Sequence, residues 1–334
     1  MKISFFEIQN WEKPILKKFL KNNSIKFFEE PISQYNIKQI KQTEVLSVFV
    51  NSTVDKLTIS SLPKLKLIVT RSTGFDHINI NEAKKRKIHV CNMPAYGENT
   101  VAEHAFALIL ALSRKIHESH LRRLNGDFSL EGLKGFDLEG KTIGVIGTGN
   151  IGKHVIRIAR GFNMKVIALA HHPDEFLAEQ LNFSYVPLPT LLKKSDIITI
   201  HIPYCKENHH FINKKSLDQM KKGAILINTS RGEIVDTEAL IQALDTKKLA
   251  GVGLDVIEGE KLIKEEHEAI YNPSNREALK QLAEDHELLS KKNVVYTPHI
   301  AFYTQEALER IIKTTIKLIK EFSAKKDLGE AKIC

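Results

Sequence analysis

The chain has 334 residues, of which 42% are apolar and 27% are charged, and its formal net charge is +9. A chain of this length is longer than one that typically folds around a single hydrophobic core, so we expect two domains. The lysines are spread along the chain instead of forming a basic arm with interleaved aromatic residues, so we expect a solvated surface and no nucleic-acid partner.

Strand-like and helix-like segments alternate in the first hundred residues, a pattern typical of a parallel sheet covered by helices. The first strand begins directly after Met1, which leaves no room for a signal peptide. Together with three widely separated cysteines, this start predicts a cytoplasmic protein. The predicted elements are strand 2–6, helix 13–21, strands 25–29, 45–50 and 65–70, helix 80–86 and strand 88–91. They form a small doubly wound, flavodoxin-like domain without a phosphate-binding loop.

The alternation breaks at Pro94-Ala95-Tyr96-Gly97, and Thr100-Val101-Ala102-Glu103 is a capping box that predicts the start of a long helix. Its most apolar stretch, 102–112, is too short to cross a bilayer, so no membrane partner is expected. Strands are then predicted at 142–146, 165–169, 197–202, 224–228, 251–256 and 294–296, with helices between them. Residues 260–292 are charged and weakly periodic, which predicts short helices and a surface excursion. A last helix, 305–323, is predicted to return to the first domain.

A glycine-rich loop, Gly147-Thr148-Gly149-Asn150-Ile151-Gly152, follows the apolar strand 142–146 and opens a helix. In this context the pattern GxGxxG predicts a pyrophosphate site, because the glycines let backbone N–H groups and the helix N-terminus approach the phosphates. We therefore expect a Rossmann dinucleotide-binding domain at 98–299. Residues 1–97, completed by 300–334, are expected to form the smaller substrate domain, so that the whole chain is α/β with two doubly wound parallel sheets.

The acidic residue that this motif predicts about 20 positions further on is missing. The strand 165–169 ends at Ala170, which is followed by His171 and His172. Either Asp174 or Glu175 reaches back to the ribose hydroxyls, or the site tolerates a 2′-phosphate beside the histidines. We expect NAD as the cofactor, with NADP as the alternative.

Three side chains at the ends of apolar runs carry complementary chemistry. Arg231 can hold a carboxylate with two parallel hydrogen bonds, and His299 can give or take a hydroxyl proton near neutral pH. Glu260 is expected to hydrogen-bond His299 and to stabilise its imidazolium form, with Glu258 as the competitor for that role. Together with the nucleotide loop, this set predicts hydride transfer to a 2-keto acid.

Two pairs of adjacent histidines, His171-His172 and His209-His210, suggest metal binding. Neighbouring histidines rarely point at one ion, and the sequence shows no carboxylate or thiol set beside either pair. We therefore expect no metal site.

These motifs together resemble the D-isomer-specific 2-hydroxyacid dehydrogenase family over nearly the whole chain, and most closely its D-lactate dehydrogenase branch. The matching segments are 71–76, 94–96, 102–104, 147–152, 202–203, 228–236, 254–260 and 297–304. The separation of Arg231 and Glu260 is also that of the arginine and the glutamate in this branch. Ala170 is the clearest departure from the family pattern, and it affects cofactor preference but not the reaction class.

The resemblance implies that Arg231, Glu260 and His299 are catalytic, and that the long helix after Thr100 helps to form a homodimer. It implies that substrate is contacted by Thr73, Gly74, Tyr96, Arg231, His299 and Phe302. The implied cofactor contacts are Gly147, Gly149, Asn150, Ile151, Gly152, Ala170, His171, Ile202, Pro203, Asn208, Thr229, Ser230, Arg231 and Asp255.

The expected reaction is the reversible reduction of a small 2-keto acid, with pyruvate and D-lactate as the leading pair. The run Ala301-Phe302-Tyr303 after His299 favours an apolar-tailed substrate over a phosphorylated acid. Another D-2-hydroxy acid is the nearest alternative. A dinucleotide-sensing, corepressor-like interaction protein on the same fold is the alternative outside the enzymes.

Overall fold

The computed structural model describes residues 1–264 and 276–334, which fall into two compact units. The smaller unit comprises 1–96 and 304–334, and the larger comprises 97–303. The sequence prediction divides the chain after residues 97 and 299. The second division lies four residues later because the backbone amides of Ile300 and Ala301 donate to the carboxylate of Asp255, which belongs to the larger unit.

The smaller unit contains a five-stranded parallel sheet in the order β2-β1-β3-β4-β5. All four residues of β3 and of β4 are buried, as expected for the central strands of a sheet covered on both faces. The sequence prediction missed α2, which is only five residues long. The elements are β1 (Lys2–Phe5), α1 (Glu12–Phe19), β2 (Ser24–Phe27), β3 (Val45–Val48), α2 (Lys56–Ser60), β4 (Leu67–Thr70), α3 (Ile80–Lys85) and β5 (His89–Cys91).

The larger unit contains a seven-stranded parallel sheet in the order β12-β11-β10-β9-β6-β7-β8. Its elements are α4 (Glu98–Ser113), α5 (Ile116–Leu124), β6 (Thr142–Ile146), α6 (Asn150–Gly161), β7 (Lys165–Leu169), α7 (Glu175–Leu181), β8 (Ser184–Tyr185), α8 (Leu188–Lys194), β9 (Ile197–Ile200), α9 (Lys214–Gln219), β10 (Ala224–Asn228), α10 (Thr237–Asp245), β11 (Leu249–Leu254), α11 (Glu260–Lys264), α12 (Arg276–Ser290) and β12 (Val294–Tyr296). The chain then returns to the smaller unit as α13 (Gln305–Ser323). The predicted fold class, α/β with two doubly wound parallel sheets, is confirmed.

The predicted start of α4 at the Thr100 capping box is wrong. The helix begins at Glu98, and the carbonyl of Gly97 already accepts from the amide of Val101. Thr100 is therefore buried within the first turn, where its hydroxyl cannot serve as the N-cap. Part of the predicted excursion at 260–292 forms α11 and α12, and residues 265–275 of it lie outside the described residues.

The order of the larger sheet reverses between β6 and β9. Strands β7 and β8 lie on one side of β6, and β9 to β12 continue on the other. In open α/β sheets, ligands bind beyond the carboxyl ends of the strands at such a switch point. No helix in the described part of the chain is long and apolar enough to cross a membrane.

Candidate active site

The three predicted catalytic residues lie on loops at the same edge of the larger sheet. Arg231 follows β10, Glu260 follows β11 and His299 follows β12, and these strands are parallel neighbours. Their carboxyl ends therefore meet at one edge, which is also the edge where the glycine loop leaves β6.

Glu260 is the carboxylate that contacts His299. His299 Nδ1 lies 3.0 Å from Glu260 Oε2, and both side chains are about four-fifths buried, with exposures of 22% and 18%. Glu258 instead contacts the ring of His210, at 2.9 Å from Nε2. An imidazole held through Nδ1 by a carboxylate directs its Nε2 outward, which is the arrangement of a positioned proton donor.

The backbone of His299 has a left-handed conformation, with φ of 55°. Non-glycine residues seldom adopt this conformation, and it needs support from surrounding contacts. Asp255, which is 1% exposed, provides that support: its carboxylate accepts from the amides of Ile300 and Ala301 and from the hydroxyl of Thr297. Asp255 thus fixes the loop that carries His299.

His104 was part of a sequence motif but had no predicted role. Its Nε2 lies 2.9 Å from Thr297 Oγ1 and 3.4 Å from Asp255 Oδ1. It therefore connects α4 to the same buried carboxylate. The sequence does not indicate these contacts, because each partner is at least 151 residues away from His104.

The loop of Arg231 is held by Asn228, whose side-chain amide donates to the carbonyl of Arg231. The guanidinium donates through Nη1 to the carbonyl of Ser230. A Cβ at Gly232 would collide with the backbone of Ile257, so only glycine fits there. This close approach places the loop after β10 directly against the loop that leads to Glu260.

The glycine loop fits a dinucleotide pyrophosphate. Gly147 has φ of 96°, and a Cβ there would meet the carbonyl oxygen of His201 at 2.5 Å. Gly152 packs against the carbonyl of Gly147, and a Cβ on Gly149 would meet only open space. Gly149 and Asn150 are exposed, and no side chain of the described chain caps the start of α6. An anion can therefore reach the backbone N–H groups of this helix end.

The other predicted cofactor contacts surround the switch point. Thr229 is buried, and its hydroxyl has no hydrogen-bond partner within the described chain, so it is available to a bound group. The side chain of Asn208 stabilises the loop in which it lies: its Oδ1 accepts from the amide of Cys205, and its Nδ2 donates to the carbonyl of Pro203. Pro203 is exposed, whereas Ile151, Ile202 and Ser230 are partly buried.

Two groups next to the site have strongly shifted pKa values. Burial lowers the pKa of His201 to about 3, so this histidine is neutral, and its Nε2 lies 2.8 Å from Thr199 Oγ1. Burial and the nearby charges of Glu260, Asp255 and Asp285 raise the pKa of Tyr296 to about 12. Neither group exchanges protons near neutral pH.

The end of β7 differs from the usual ribose site. Ala170 is partly buried, and His171 and His172 are exposed, with His171 Nδ1 3.0 Å from His172 Nε2. Asp174, one of the acids that could reach back to the ribose, caps α7 by accepting from the amide of Leu177. The exposed imidazoles of His171 and His172 therefore directly follow Ala170 in sequence.

In the smaller unit, Thr73 and Gly74 lie in the loop after β4. The carbonyl of Thr73 accepts from the side chain of Asn92, and its hydroxyl donates to the carbonyl of Met93. Within residues 1–264 and 276–334, the amides of Thr73 and Gly74 have no hydrogen-bond acceptor. Two free N–H groups on a held loop can receive a carboxylate oxygen.

A buried ion pair supports the start of this loop. Arg71 Nη1 donates to Glu12 Oε1 at 2.9 Å, and Nη2 donates to the carbonyls of Phe6 and Glu7. Both partners are more than nine-tenths buried. The pair thus joins the ends of β1 and β4 in the smaller unit.

The two aromatic residues that are predicted to contact the substrate, Tyr96 and Phe302, differ in their exposure and contacts. Tyr96 is 9% exposed, and its carbonyl accepts from Arg310 Nε. Phe302 is partly exposed, and its ring centroid lies 6.4 Å from that of His299 in an edge-to-face arrangement. Phe302 therefore provides an apolar surface beside the histidine.

A buried carboxyl group lies beneath the loop of Glu260. Asp285 is fully buried in α12, and a Cβ on Gly259 would meet its Oδ2 at 3.0 Å. Burial is the main cause that raises the pKa of Asp285 to about 7. Sequence analysis did not identify this residue, because nothing local distinguishes it from the other charged residues of 276–290.

One premise of the argument against a metal site, the absence of a nearby carboxylate, does not hold for the pair His209-His210. The structure brings the carboxylate of Glu258 to His209 and His210, and potential ligand atoms of all three residues lie within 4.8 Å of one another. The carboxylate comes from a different loop, 48 residues further along the chain, which adjacent-residue patterns cannot reveal.

Comparison with known proteins identifies the family of the chain. The family model of the D-isomer specific 2-hydroxyacid dehydrogenase NAD binding domain matches residues 106–301. D-lactate dehydrogenase of Escherichia coli (strain K12) is 35% identical over 321 residues, covering 95% of each chain. Glyoxylate reductase of Thermococcus litoralis is 36% identical over 326 residues, covering 96% of this chain and 88% of its own.

Among solved structures, D-lactate dehydrogenase from Aquifex aeolicus, complexed with NAD and lactic acid, is 38% identical with a TM-score of 0.87. The alignment covers 97% of this chain and 96% of that one. The chain belongs to the D-isomer specific 2-hydroxyacid dehydrogenase family. It is an oxidoreductase that transfers a hydride between a nicotinamide cofactor and a small 2-hydroxy or 2-keto acid.

Proposed function

We propose that the protein reduces pyruvate to D-lactate reversibly, with Arg231, Glu260 and His299 as its catalytic residues. The observation that carries these roles is the 3.0 Å contact between His299 and Glu260 on loops beside that of Arg231. The apolar ring of Phe302 next to His299 suits the methyl group of pyruvate better than a charged or phosphorylated tail. Two of the named relatives are D-lactate dehydrogenases.

Each catalytic side chain has a distinct task in this proposal. The guanidinium of Arg231 holds the substrate carboxylate and polarises the keto group. His299 donates a proton from Nε2 to the keto oxygen during reduction and takes it back during oxidation. Glu260 orients the ring through Nδ1 and stabilises its charged form. A nicotinamide held at this site would supply the hydride during reduction and accept it during oxidation.

We further propose that the glycine loop holds the cofactor pyrophosphate and that Thr229 and Asp255 lie on the nicotinamide side. Ala170, His171 and His172 would then lie at the adenosine ribose. NAD is the expected cofactor. Because alanine neither binds the ribose hydroxyls nor repels a 2′-phosphate, we expect NADP to be accepted as well. The roles of Thr73, Gly74 and Tyr96 toward substrate stay predictions.

Steady-state assays test the proposal directly. Pyruvate, glyoxylate and a longer branched 2-keto acid are each compared as oxidants of NADH and of NADPH, and the configuration of the product is determined. The highest kcat/KM is expected for pyruvate, with D-lactate as the product. A higher kcat/KM for another keto acid would replace pyruvate as the substrate. NADH binding without turnover of any acid would favour a dinucleotide-sensing protein instead.

The surface of the larger unit also suits a homodimer. Five large apolar side chains on α5 and the segment after it are more than half exposed: Ile116, Leu121, Leu124, Phe128 and Leu130. Such concentrations of exposed apolar surface mark interaction sites. Light scattering is expected to give the mass of two chains, and Leu121→Asp is expected to shift the protein toward a monomer. A monomeric wild-type protein would contradict this part of the proposal.

A further inference from the structure

A second cluster of ligand-type side chains lies outside the catalytic set, and it consists of His209, His210 and Glu258. The two histidines follow the short 3-10 turn Lys206–Asn208 in the loop after β9, whereas Glu258 lies in the loop after β11. His210 Nε2 is 2.9 Å and 3.0 Å from the two carboxylate oxygens of Glu258. The cluster therefore joins two loops that are separate in sequence.

The backbone holds His210 in place. It has a left-handed φ of 50°, its amide donates to the carbonyl of Glu233, and its carbonyl accepts from the side chain of Asn213. The hydroxyl of Thr237 donates to Glu258 Oε2 at 3.4 Å. Two hydrogen bonds thus fix the backbone of His210, and a third contact holds Glu258.

The two histidine rings have an arrangement that places both near the same carboxylate. Their centroids are 3.9 Å apart and their planes differ by 20°. His209 is exposed, so its ring can rotate at little cost, while His210 and Glu258 are partly buried and better fixed. His210 and Glu258 thus determine where the cluster lies, and the exposed ring of His209 supplies its third potential ligand.

The donor set is that of a transition-metal site. Two imidazole nitrogens and one carboxylate bind Zn²⁺ in many proteins and leave a fourth position for water. Tetrahedral bonds of about 2.0–2.1 Å place ligand atoms about 3.3 Å from one another. The present atoms lie within 4.8 Å of one another, and His210 Nε2 is 2.9 Å from Glu258 Oε1. Binding of an ion therefore requires His209 to move closer and the contact between His210 and Glu258 to lengthen by a few tenths of an ångström.

A second carboxylate lies behind the cluster. Asp236 Oδ2 is 3.9 Å from His210 Nδ1, and Asp236 Oδ1 caps α10 by accepting from the amide of Ala239. Metal-binding histidines commonly turn their other ring nitrogen toward such a group, which fixes the ring and increases its basicity. The surroundings of the cluster therefore add to its suitability for a cation.

We propose that His209, His210 and Glu258 bind one divalent transition-metal ion of the Zn²⁺ type, with water in the fourth position. The ion links the loop of Asn208 to the loop that continues to Glu260. Because it binds the folded chain, it stabilises the protein by an amount that increases with the logarithm of its free concentration once that exceeds Kd. The site is separate from hydride transfer and does not depend on the substrate proposed above.

The test is a Zn²⁺ titration of the full-length, untagged protein after chelator treatment and dialysis, in competition with a chromophoric chelator. One Zn²⁺ per chain is expected, with an increase in melting temperature. His209→Ala and Glu258→Gln are each expected to weaken binding by more than about tenfold. His209→Ala is the primary variant, because its exposed side chain is not needed for folding.

Two control variants make the result specific. His172→Ala removes a residue from the other adjacent histidine pair, which has no third ligand in the described part of the chain. Cys205→Ser removes the exposed thiol of the same loop. Both are expected to bind Zn²⁺ as wild type does. The proposal is overturned if wild type binds no Zn²⁺, if His209→Ala binds it equally well, or if either control variant loses it.

Discussion

The backbone amide of His299 donates a hydrogen bond of 2.8 Å to the carbonyl oxygen of Asp255. The carboxylate of the same aspartate accepts from the next two amides, so a buried residue at the end of β11 determines the path of the loop after β12. A left-handed non-glycine residue is strained by about 1–3 kcal/mol. The hydrogen bonds to Asp255 offset this strain, and the imidazole stays directed toward the site.

Asp255→Asn is expected to lower both stability and kcat. An amide offers one acceptor oxygen where the carboxylate offers two, so one buried amide of the loop loses its partner. Loss of a hydrogen bond to a charged group should reduce the free energy of unfolding by about 1.5–3 kcal/mol. Urea denaturation and steady-state kinetics measure the two effects. A change in NADH affinity at unchanged stability would show that Asp255 acts mainly on the cofactor.

A surface carboxylate supplies the control for this experiment. Asp245 pairs with Lys291 at 2.6 Å, and its side chain is more than half exposed. Asp245→Asn should change the free energy of unfolding by less than about 1 kcal/mol, because exposed ion pairs contribute little.

Arg231→Lys is expected to lose most of the activity although the charge is retained. An ammonium group cannot reproduce the planar two-point hold on a carboxylate. The loss should appear in kcat/KM for the keto acid, with little change in cofactor affinity. Near-wild-type kcat/KM in this variant would remove Arg231 from the substrate site.

Glu260→Gln and Glu258→Gln form a matched pair, because both remove a negative charge from the same loop. Only Glu260 contacts His299, so Glu260→Gln should lower kcat strongly and Glu258→Gln should leave it within a few-fold of wild type. His299→Ala sets the scale, with an expected loss of about 10²–10⁴-fold in kcat. A larger loss in Glu258→Gln than in Glu260→Gln would reverse the assignment.

The contrast between these glutamates also shows what a sequence can and cannot specify. The positions of the glycine loop and of Arg231 after β6 and β10 were predictable, because a local pattern after an apolar strand implies its own geometry. The choice between Glu258 and Glu260 rested on spacing within a family, since both follow the same strand. The contact between His210 and Glu258 was not predictable, because 48 residues separate the partners and no local pattern connects them.

Asp285 was missed for a similar reason, since burial beneath Gly259 depends on how α12 packs. The start of α4 was misassigned because a capping-box pattern is local, whereas the helix actually begins where the carbonyl of Gly97 accepts its first bond. Strand positions were more predictable than helix ends. A buried parallel strand is an apolar run, whereas a helix end depends on a few backbone hydrogen bonds.

Asp285→Asn is expected to stabilise the protein at pH 8.5 but not at pH 4. The pKa of Asp285 is about 7 in the folded chain, mainly because of burial, against about 3.9 for an unfolded aspartate. Between these values the folded state holds a proton that the unfolded state has released, so stability falls as pH rises from about 4 to about 7. Glu258 and Glu284 add to the shift, and His286 opposes it.

The asparagine variant lacks this titration and retains an oxygen for Gln281, which donates to Asp285 Oδ1 at 3.0 Å. Its gain in the free energy of unfolding should therefore reach a few kcal/mol above pH 7. Urea denaturation of both proteins from pH 4 to pH 8.5 measures the difference. A constant difference across this range would mean that Asp285 does not titrate there.

Ala170→Asp is expected to shift cofactor preference toward NAD. An aspartate at the end of β7 would accept hydrogen bonds from the adenosine ribose hydroxyls and repel a 2′-phosphate. The variant should therefore bind NADH modestly tighter and NADPH considerably weaker, as measured by kcat/KM for both cofactors in both proteins. His172→Ala is the companion variant, because loss of an exposed imidazole should weaken NADPH use and leave NADH use unchanged.

If wild type already prefers NADH about a thousandfold, another residue performs the task of the missing acid. Glu175 would then be the first residue to replace, because Asp174 already caps α7.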